Sequence, residues 1–153
     1  MGALPIESAG TVIAGLFHGF ATDAGADSSV GREALGTDVG ALAALDSAFT
    51  GAALELTHAT VVVDGRPKRV VIVGLGERPA FDASVLRSAA TVAARAIGSA
   101  DRSAVVSLLA ARSASADEVA AVLEGHLFGA WEYERPGSRP APTGLLTVAL
   151  PAD

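Results

Sequence analysis

The chain has 153 residues, a length typical of one domain, with half of its residues hydrophobic and only 5% aromatic. Its core must therefore consist mainly of Ala, Val and Leu. The net charge of −6 repels phosphate backbones and argues against nucleic-acid binding. Every apolar run is interrupted well before the about 20 residues that a membrane span needs. Because the chain has no Cys and no Lys or Arg before Arg32, we expect a cytoplasmic protein without disulfides, thiolate metal sites or a signal peptide.

The first third of the chain predicts a strand, a loop and a helix. Residues 11–17 form a short, partly β-branched apolar run that is typical of a buried strand. Residues 21–36, rich in Ala, Asp, Ser and Gly, predict a loop. Over residues 37–49 apolar side chains recur at helical spacing. We expect Thr37 or Asp38 to cap this helix and Gly51 to end it, and the buried face to comprise Val39, Leu42, Leu45 and Phe49.

A β-hairpin is predicted over the next segment. Two apolar stretches, residues 52–63 and 69–74, flank the tetrapeptide Asp-Gly-Arg-Pro at 64–67, and Asp-Gly is a strong turn signal. Residues 70–73 are continuously apolar, which is typical of a strand covered on both faces. This run therefore predicts a central strand.

A second helix is predicted to follow the hairpin. Asp82 can cap it, with Phe81 packing on Leu86 as a hydrophobic staple, and Gly98 supplies the stop. Residues 104–109 then predict another buried strand. The apolar stripe of the helix comprises Leu86, Ala89, Ala93 and Ile97.

A capping box predicts the last helix. Ser115 and Glu118 have the Ser-x-x-Glu spacing, and the helix should run to about residue 131. Residues 134–144, with three prolines, predict an irregular connection before a final strand at 145–150. Helices that separate strands indicate an α/β domain with a mixed sheet. The inward residues are expected to be Val119, Val122, Leu123, Leu127 and either Ala130 or Trp131.

The turn Gly74-Leu75-Gly76 is the most motif-like segment. A glycine-rich turn between a buried strand and a helix can present backbone N–H groups to a phosphate. However, the dinucleotide fingerprint would need a glycine where Pro79 stands, and the Walker ending is absent. The favoured interpretation is that the glycines only turn the chain.

The other candidates for catalytic or metal-binding residues lack the neighbouring residues that such a site would need. His18, His58 and His126 have no metal-ligand spacing, so each is expected to be structural. There is no Cys, no nucleophile elbow and no H-E-x-x-H helix. We therefore predict no catalytic and no metal-binding residue in the chain. Helix-start, surface or cap roles are expected for the acidic residues Asp117, Glu118, Glu132 and Glu134 and for Ser84, Ser88 and Ser107.

Several segments in this order resemble the leucyl (cytosol) aminopeptidases. The most recognisable is the basic residue, apolar strand and GLG turn over residues 68–76. The helix end and glycine turn at 45–51, the Ala-rich helix at 88–96 and the Glu-Gly helix with its aromatic end at 124–133 are also similar to the family. His126 departs from the pattern, because the family usually has an aliphatic residue there.

This resemblance implies that residues 1–153 form a single N-terminal domain with a three-layer fold, a mixed sheet flanked by helices, as in macro domains. In the family, two divalent metal ions, Mn²⁺ or Zn²⁺, lie in a C-terminal catalytic domain with the motif N-T-D-A-E-G-R, which a chain without Asn cannot contain. The resemblance therefore implies a non-catalytic domain of an aminopeptidase that removes N-terminal amino acids from peptides and is commonly hexameric. Its partners would be the catalytic domain of the same polypeptide and further copies. The alternative is a macro-like module that binds ADP-ribose or another nucleotide at residues 74–76.

Overall fold

The computed structural model describes residues 8–21, 29–97, 104–111, 113, 115–131 and 146–150. The strands in these ranges are β1 (Ala9–Leu16), β2 (Leu56–Val63), β3 (Arg66–Gly74), β4 (Ala104–Ser107) and β5 (Leu146–Val148). The helices are α1 (Ser29–Leu35), α2 (Val39–Ala43), α3 (Ala83–Ile97) and α4 (Ala116–Ala130), with a 3₁₀ turn at Arg78–Ala80. None of the helices in the described ranges combines the length and apolar character needed to cross a membrane.

The strands form one mixed sheet in the order β2-β3-β1-β4-β5. β1 runs parallel to β3 and β4, and β5 runs parallel to β4. The predicted hairpin supplies the antiparallel pair β2 and β3. Its turn is tighter than predicted, because Val63 pairs with Arg66 and only Asp64 and Gly65, both at positive φ, lie between the strands.

Helices cover both faces of the sheet, which confirms the three-layer α/β fold. One apolar cluster joins β1 and β3 to Leu35 of α1 and Val39 of α2. A second cluster joins the opposite faces of the same strands to α3 and α4. Residues 70–73 are fully buried, as expected of a strand covered on both sides, although β1 and not β3 holds the middle position.

Lys68 is the only lysine of the chain. Its side chain is buried on the face of the sheet that α1 and α2 cover. Its side chain is 2% exposed, and its Nζ donates a hydrogen bond to the carbonyl oxygen of Ala9 at 2.6 Å. The bond connects β3 to the first residue of β1.

The predicted helix caps are confirmed. Asp82 Oδ1 accepts hydrogen bonds from the N–H groups of Ser84 and Val85, at 2.8 and 3.1 Å. Asp38 Oδ1 caps α2 in the same way, and Ser115 Oγ accepts from the N–H of Glu118 at 3.3 Å. Local side-chain chemistry thus fixes where these three helices begin.

Two expectations for the first third of the chain are wrong. Part of the predicted loop, residues 29–35, is helix α1, which packs so closely that a Cβ on Gly31 would lie 2.1 Å from Val39 Cγ2. The predicted helix over 37–49 ends at Ala43, because turns follow in which Asp46 Oδ1 accepts from the Ala48 N–H. Leu45 is consequently 83% exposed, while Phe49 still reaches the core.

The predicted inward face of α4 is also wrong in part. Leu123, Leu127 and Trp131 are exposed, and so is Ala130. The reason is close contact with the α3 backbone, since a Cβ on Gly125 would lie 2.2 Å from the Arg87 carbonyl oxygen. The residues that face inward are Ala121, Val122, Gly125, His126 and Gly129.

The expectations for Gly98, for Glu132 and Glu134, and for the connection at 134–144 lie outside the described residues.

Candidate functional site at the glycine turn

The glycine turn lies at the carboxyl ends of β1 and β3. Phe17 and His18 follow β1 directly, and Leu75 and Gly76 follow β3. In open α/β sheets this edge is where ligands bind. The predicted turn is therefore in the right place for a site.

The backbone N–H groups of the turn are all occupied. Gly74 N donates to the Glu55 carbonyl at 2.8 Å, and Leu75 N donates to the Leu16 carbonyl at 2.8 Å. Gly76 N donates to the Gly51 carbonyl at 3.0 Å. A phosphate would need such N–H groups to be unpaired. In this conformation the turn has none to offer.

The loop over residues 50–55 occupies the space against the turn. A Cβ on Gly74 would lie 1.9 Å from the Ala52 carbonyl oxygen, so only glycine fits at this position. Gly76 has φ +75°, a conformation that side chains other than glycine rarely adopt. Chain packing and chain direction thus account for both glycines without a ligand.

Glu55 holds the loop over the turn. Its Oε2 accepts hydrogen bonds from the N–H and hydroxyl of Thr50, at 2.8 and 2.9 Å, and from the N–H of Ala52 at 3.2 Å. These bonds, the Thr50 N–H first, hold the pKa of Glu55 below its ordinary value. Sequence reasoning missed Glu55, because its partners are set by a loop conformation that no short motif marks.

A charged and aromatic rim lies on the solvent side of the turn. His18 Nδ1 lies 2.7 Å from Glu77 Oε1, and both side chains are well exposed. The Arg78 guanidinium lies 4.5 Å from the centre of the Phe17 ring, which meets Phe81 edge to face. These contacts fasten the segment after β3 to the end of β1.

The three histidines occupy three different settings. His18 belongs to the rim, and exposed His58 on β2 lies 3.5 Å from the Arg69 guanidinium. His126 on α4 is buried, with its Nε2 2.8 Å from Ser107 Oγ. Within the described ranges, no group of three or more His, Asp or Glu side chains is arranged to hold a metal ion.

The Ser107 and His126 pair has the composition of a nucleophile and its base, but not the access. Ser107 is fully buried and His126 is 2% exposed, so no substrate can reach either group. Burial lowers the pKa of His126 to about 4, which leaves the ring neutral at pH 7. The surface or cap role expected for Ser107 is wrong, and the pair is an internal hydrogen bond between α4 and β4.

The fold thus defines a three-layer α/β domain, and sequence comparison identifies its family. The chain matches the sequence model of the "Cytosol aminopeptidase family, N-terminal domain" over residues 27–139. The match covers well over half of the chain, which belongs to this family. No curated protein sequence matches the chain.

Two solved structures have a similar fold. "Bottromycin maturation enzyme BotP" superposes with a TM-score of 0.62 at 23% identity, over 92% of this chain and 27% of that chain. "Bottromycin maturation enzyme BotP in complex with Mn" gives a TM-score of 0.59 at 22% identity, over 95% of this chain and 27% of that chain. Such identities show a shared fold alone. This chain spans about a quarter of the length of these proteins.

Proposed function

We propose that this chain is the non-catalytic N-terminal domain of a metal-dependent leucyl aminopeptidase. The observation that carries the proposal is the family match over residues 27–139. The role of the domain is to support the architecture and assembly of the parent enzyme, which removes N-terminal amino acids from peptides.

The chemistry of the parent belongs to a different part of the polypeptide. The described residues of this chain do not fit a metal pair, since no cluster of possible ligands occurs among them. The similar solved chains are almost four times as long as the part that this chain matches, and one of them was solved with Mn. We assign two divalent ions, Mn²⁺ or Zn²⁺, and all catalytic residues to a C-terminal catalytic domain of the parent.

The partners of the domain follow from the same assignment. They are the catalytic domain and further copies of the parent, as a hexamer, in the cytoplasm. The net charge of −6 and the absence of cysteine support a cytoplasmic protein that binds neither nucleic acid nor membrane.

A peptidase assay tests the proposal. The purified chain, shown to be folded by circular dichroism, is expected to release nothing from a leucine-linked chromogenic reporter, with or without added Mn²⁺ or Zn²⁺. The parent protein, expressed from the reading frame extended beyond residue 153, is expected to release the reporter and to lose this activity in a chelator. Metal-dependent release by the 153-residue chain would overturn the proposal.

Nucleotide binding at residues 74–76 is the weaker alternative, because every N–H of that turn is already paired. We expect ADP-ribose and ATP in large excess to leave the melting temperature unchanged. A ligand that binds only the native state must raise it, by an amount that grows with concentration. A concentration-dependent rise with either nucleotide would favour the nucleotide-binding alternative.

A further inference from the structure

Helix α4 carries a second apolar face that nothing in the described structure covers. Its large side chains are those of Leu123, Leu127, Phe128 and the C-cap residue Trp131, which are 44%, 71%, 61% and 71% exposed. Leu123, Leu127 and Trp131 follow one another at intervals of four residues, so they form a row along the helix, with Phe128 beside it. We call these four residues the outer α4 face.

The neighbouring helix shows that such a face is unusual for this layer. The exposed positions of α3 include Ser84, Ser88 and Arg95, which suit water. A contiguous exposed apolar patch marks an interaction site. Trp and Phe are also the side chains that interface cores favour. The outer α4 face therefore has the composition of an interface.

The position of α4 indicates which partner this interface meets. The hydrogen bond of His126 to Ser107 holds α4 against β4, the neighbour of edge strand β5. Val148 of β5 packs on the same apolar cluster as Val122 of α4, so α4 lies close to the last strand of the described residues. In a family whose matching part is an N-terminal domain, the rest of the polypeptide follows in sequence. The outer α4 face is therefore near the strand after which that part of the polypeptide continues.

We propose that the outer α4 face is the docking surface for the catalytic domain of the same polypeptide. This inference rests on the proposed function. The similar solved chains have almost three quarters of their length outside the region matched here, which is ample to cover one helix face. The partner surface would be apolar opposite Trp131 and polar near the exposed ion pair between Arg87 and Glu124, whose Nε and Oε2 atoms are 2.8 Å apart.

The test measures access to the outer α4 face in two proteins, the 153-residue chain and the parent enzyme. Leu127→Cys and Phe128→Cys place a thiol on this face. Leu45→Cys is the matched control, because Leu45 is 83% exposed and follows α2 on the opposite side of the sheet. The rate of maleimide addition is read at each peptide by mass spectrometry, so other cysteines of the parent do not interfere.

In the chain alone, all three thiols are expected to react at similar rates. In the parent, the thiols at 127 and 128 are expected to react more slowly by about tenfold or more, because the core of an interface excludes water. The control at 45 should react equally in both proteins. The protection must not change as the parent is diluted, since the contact lies within one polypeptide.

Four results would overturn the inference. Equal rates in both proteins would leave the face without a partner, and protection that is lost on dilution would assign it to a second copy. Slow reaction in the isolated chain at every concentration would mean that residues of this chain cover it. Protection in a parent without metal-dependent peptidase activity would give the face a different partner. A parent that releases the leucine reporter while its thiols stay fully reactive would retain the proposed function and lose only the docking surface.

Discussion

Helices α3 and α4 have the same length of 15 residues and lie in the same layer, yet they use their apolar residues differently. In α3 the apolar residues point to the core and polar residues point to water. In α4 large apolar residues are exposed, and the buried face contains two glycines and a histidine. Periodicity orients a helix only when one face is polar. For α4 the close approach of the α3 backbone decides the orientation.

A pair of leucine substitutions gives the largest expected difference between the two helices. Leu86→Ala on α3 should lower the free energy of unfolding by about 2–5 kcal/mol, because a buried side chain leaves a cavity. Leu127→Ala on α4 should lower it by less than about 0.5 kcal/mol, since the side chain is mostly exposed. Urea denaturation at pH 7 measures both. Equal losses would mean that the outer α4 face packs within this chain.

The buried histidine makes the α4 side of the comparison sensitive to pH between 6.5 and about 4. Burial lowers the pKa of His126 from 6.5 to about 4, so between these values the unfolded chain binds the proton and the folded chain does not. The contribution to stability is complete above pH 6.5 and is lost as the pH falls towards 4. The loss should be about 3 kcal/mol at most.

His126→Gln keeps a side chain that can bond to Ser107 but does not titrate. Its free energy of unfolding should change less than that of the wild type between pH 7 and pH 4, as measured by urea denaturation at each pH. His58→Gln is the control, because the pKa of His58 is lowered in the same direction, by partial desolvation and then by Arg69, although much of its side chain contacts water. Its pH profile should stay close to that of the wild type. Identical pH profiles of His126→Gln and the wild type would show that protonation of His126 does not cause the loss of stability.

Gly125→Ala should give a smaller but distinct loss. The added Cβ would lie 2.2 Å from the Arg87 carbonyl oxygen and 2.7 Å from Ala90 Cβ, so α3 and α4 must move apart, at a cost of about 1–3 kcal/mol. Gly40→Ala in α2 is the matched control, with its nearest atom, Asp38 Oδ1, at 3.1 Å. It should change stability by less than about 1 kcal/mol. Equal thermal stabilities of the two variants would exclude glycine contact as the reason for the orientation of α4.

Features set by local hydrogen bonds could be predicted from the sequence. The Asp64-Gly65 turn and the caps at Asp82 and Ser115 each depend on a few neighbouring residues, and their residue types decide the conformation or the pairing. The covered strand at 70–73 was also predicted, because a continuous apolar run is typical of a strand between two layers.

Features set by distant contacts could not be predicted from the sequence. Helix α1 is short and contains Gly31, and its contact with Val39 is visible only in the fold. The glycine turn was located from its residues, but its closure depends on Glu55 and Gly51, about twenty residues earlier in the chain. Whether a glycine turn is open to a ligand or filled by another loop is decided by tertiary structure, which no local pattern encodes.

The burial of Lys68 protects its amine from chemical modification in the folded chain, and this protection can be used as a probe. The side chain is 2% exposed on the α1 and α2 side of the sheet and donates to the Ala9 carbonyl, so amine-directed reagents and enzymes that modify lysine reach it only when this side of the sheet opens. Because the sequence has a single lysine, modification at that residue reports such openings alone. The modification rate would then report the free energy of local opening on this side of the sheet, independently of any spectroscopic signal.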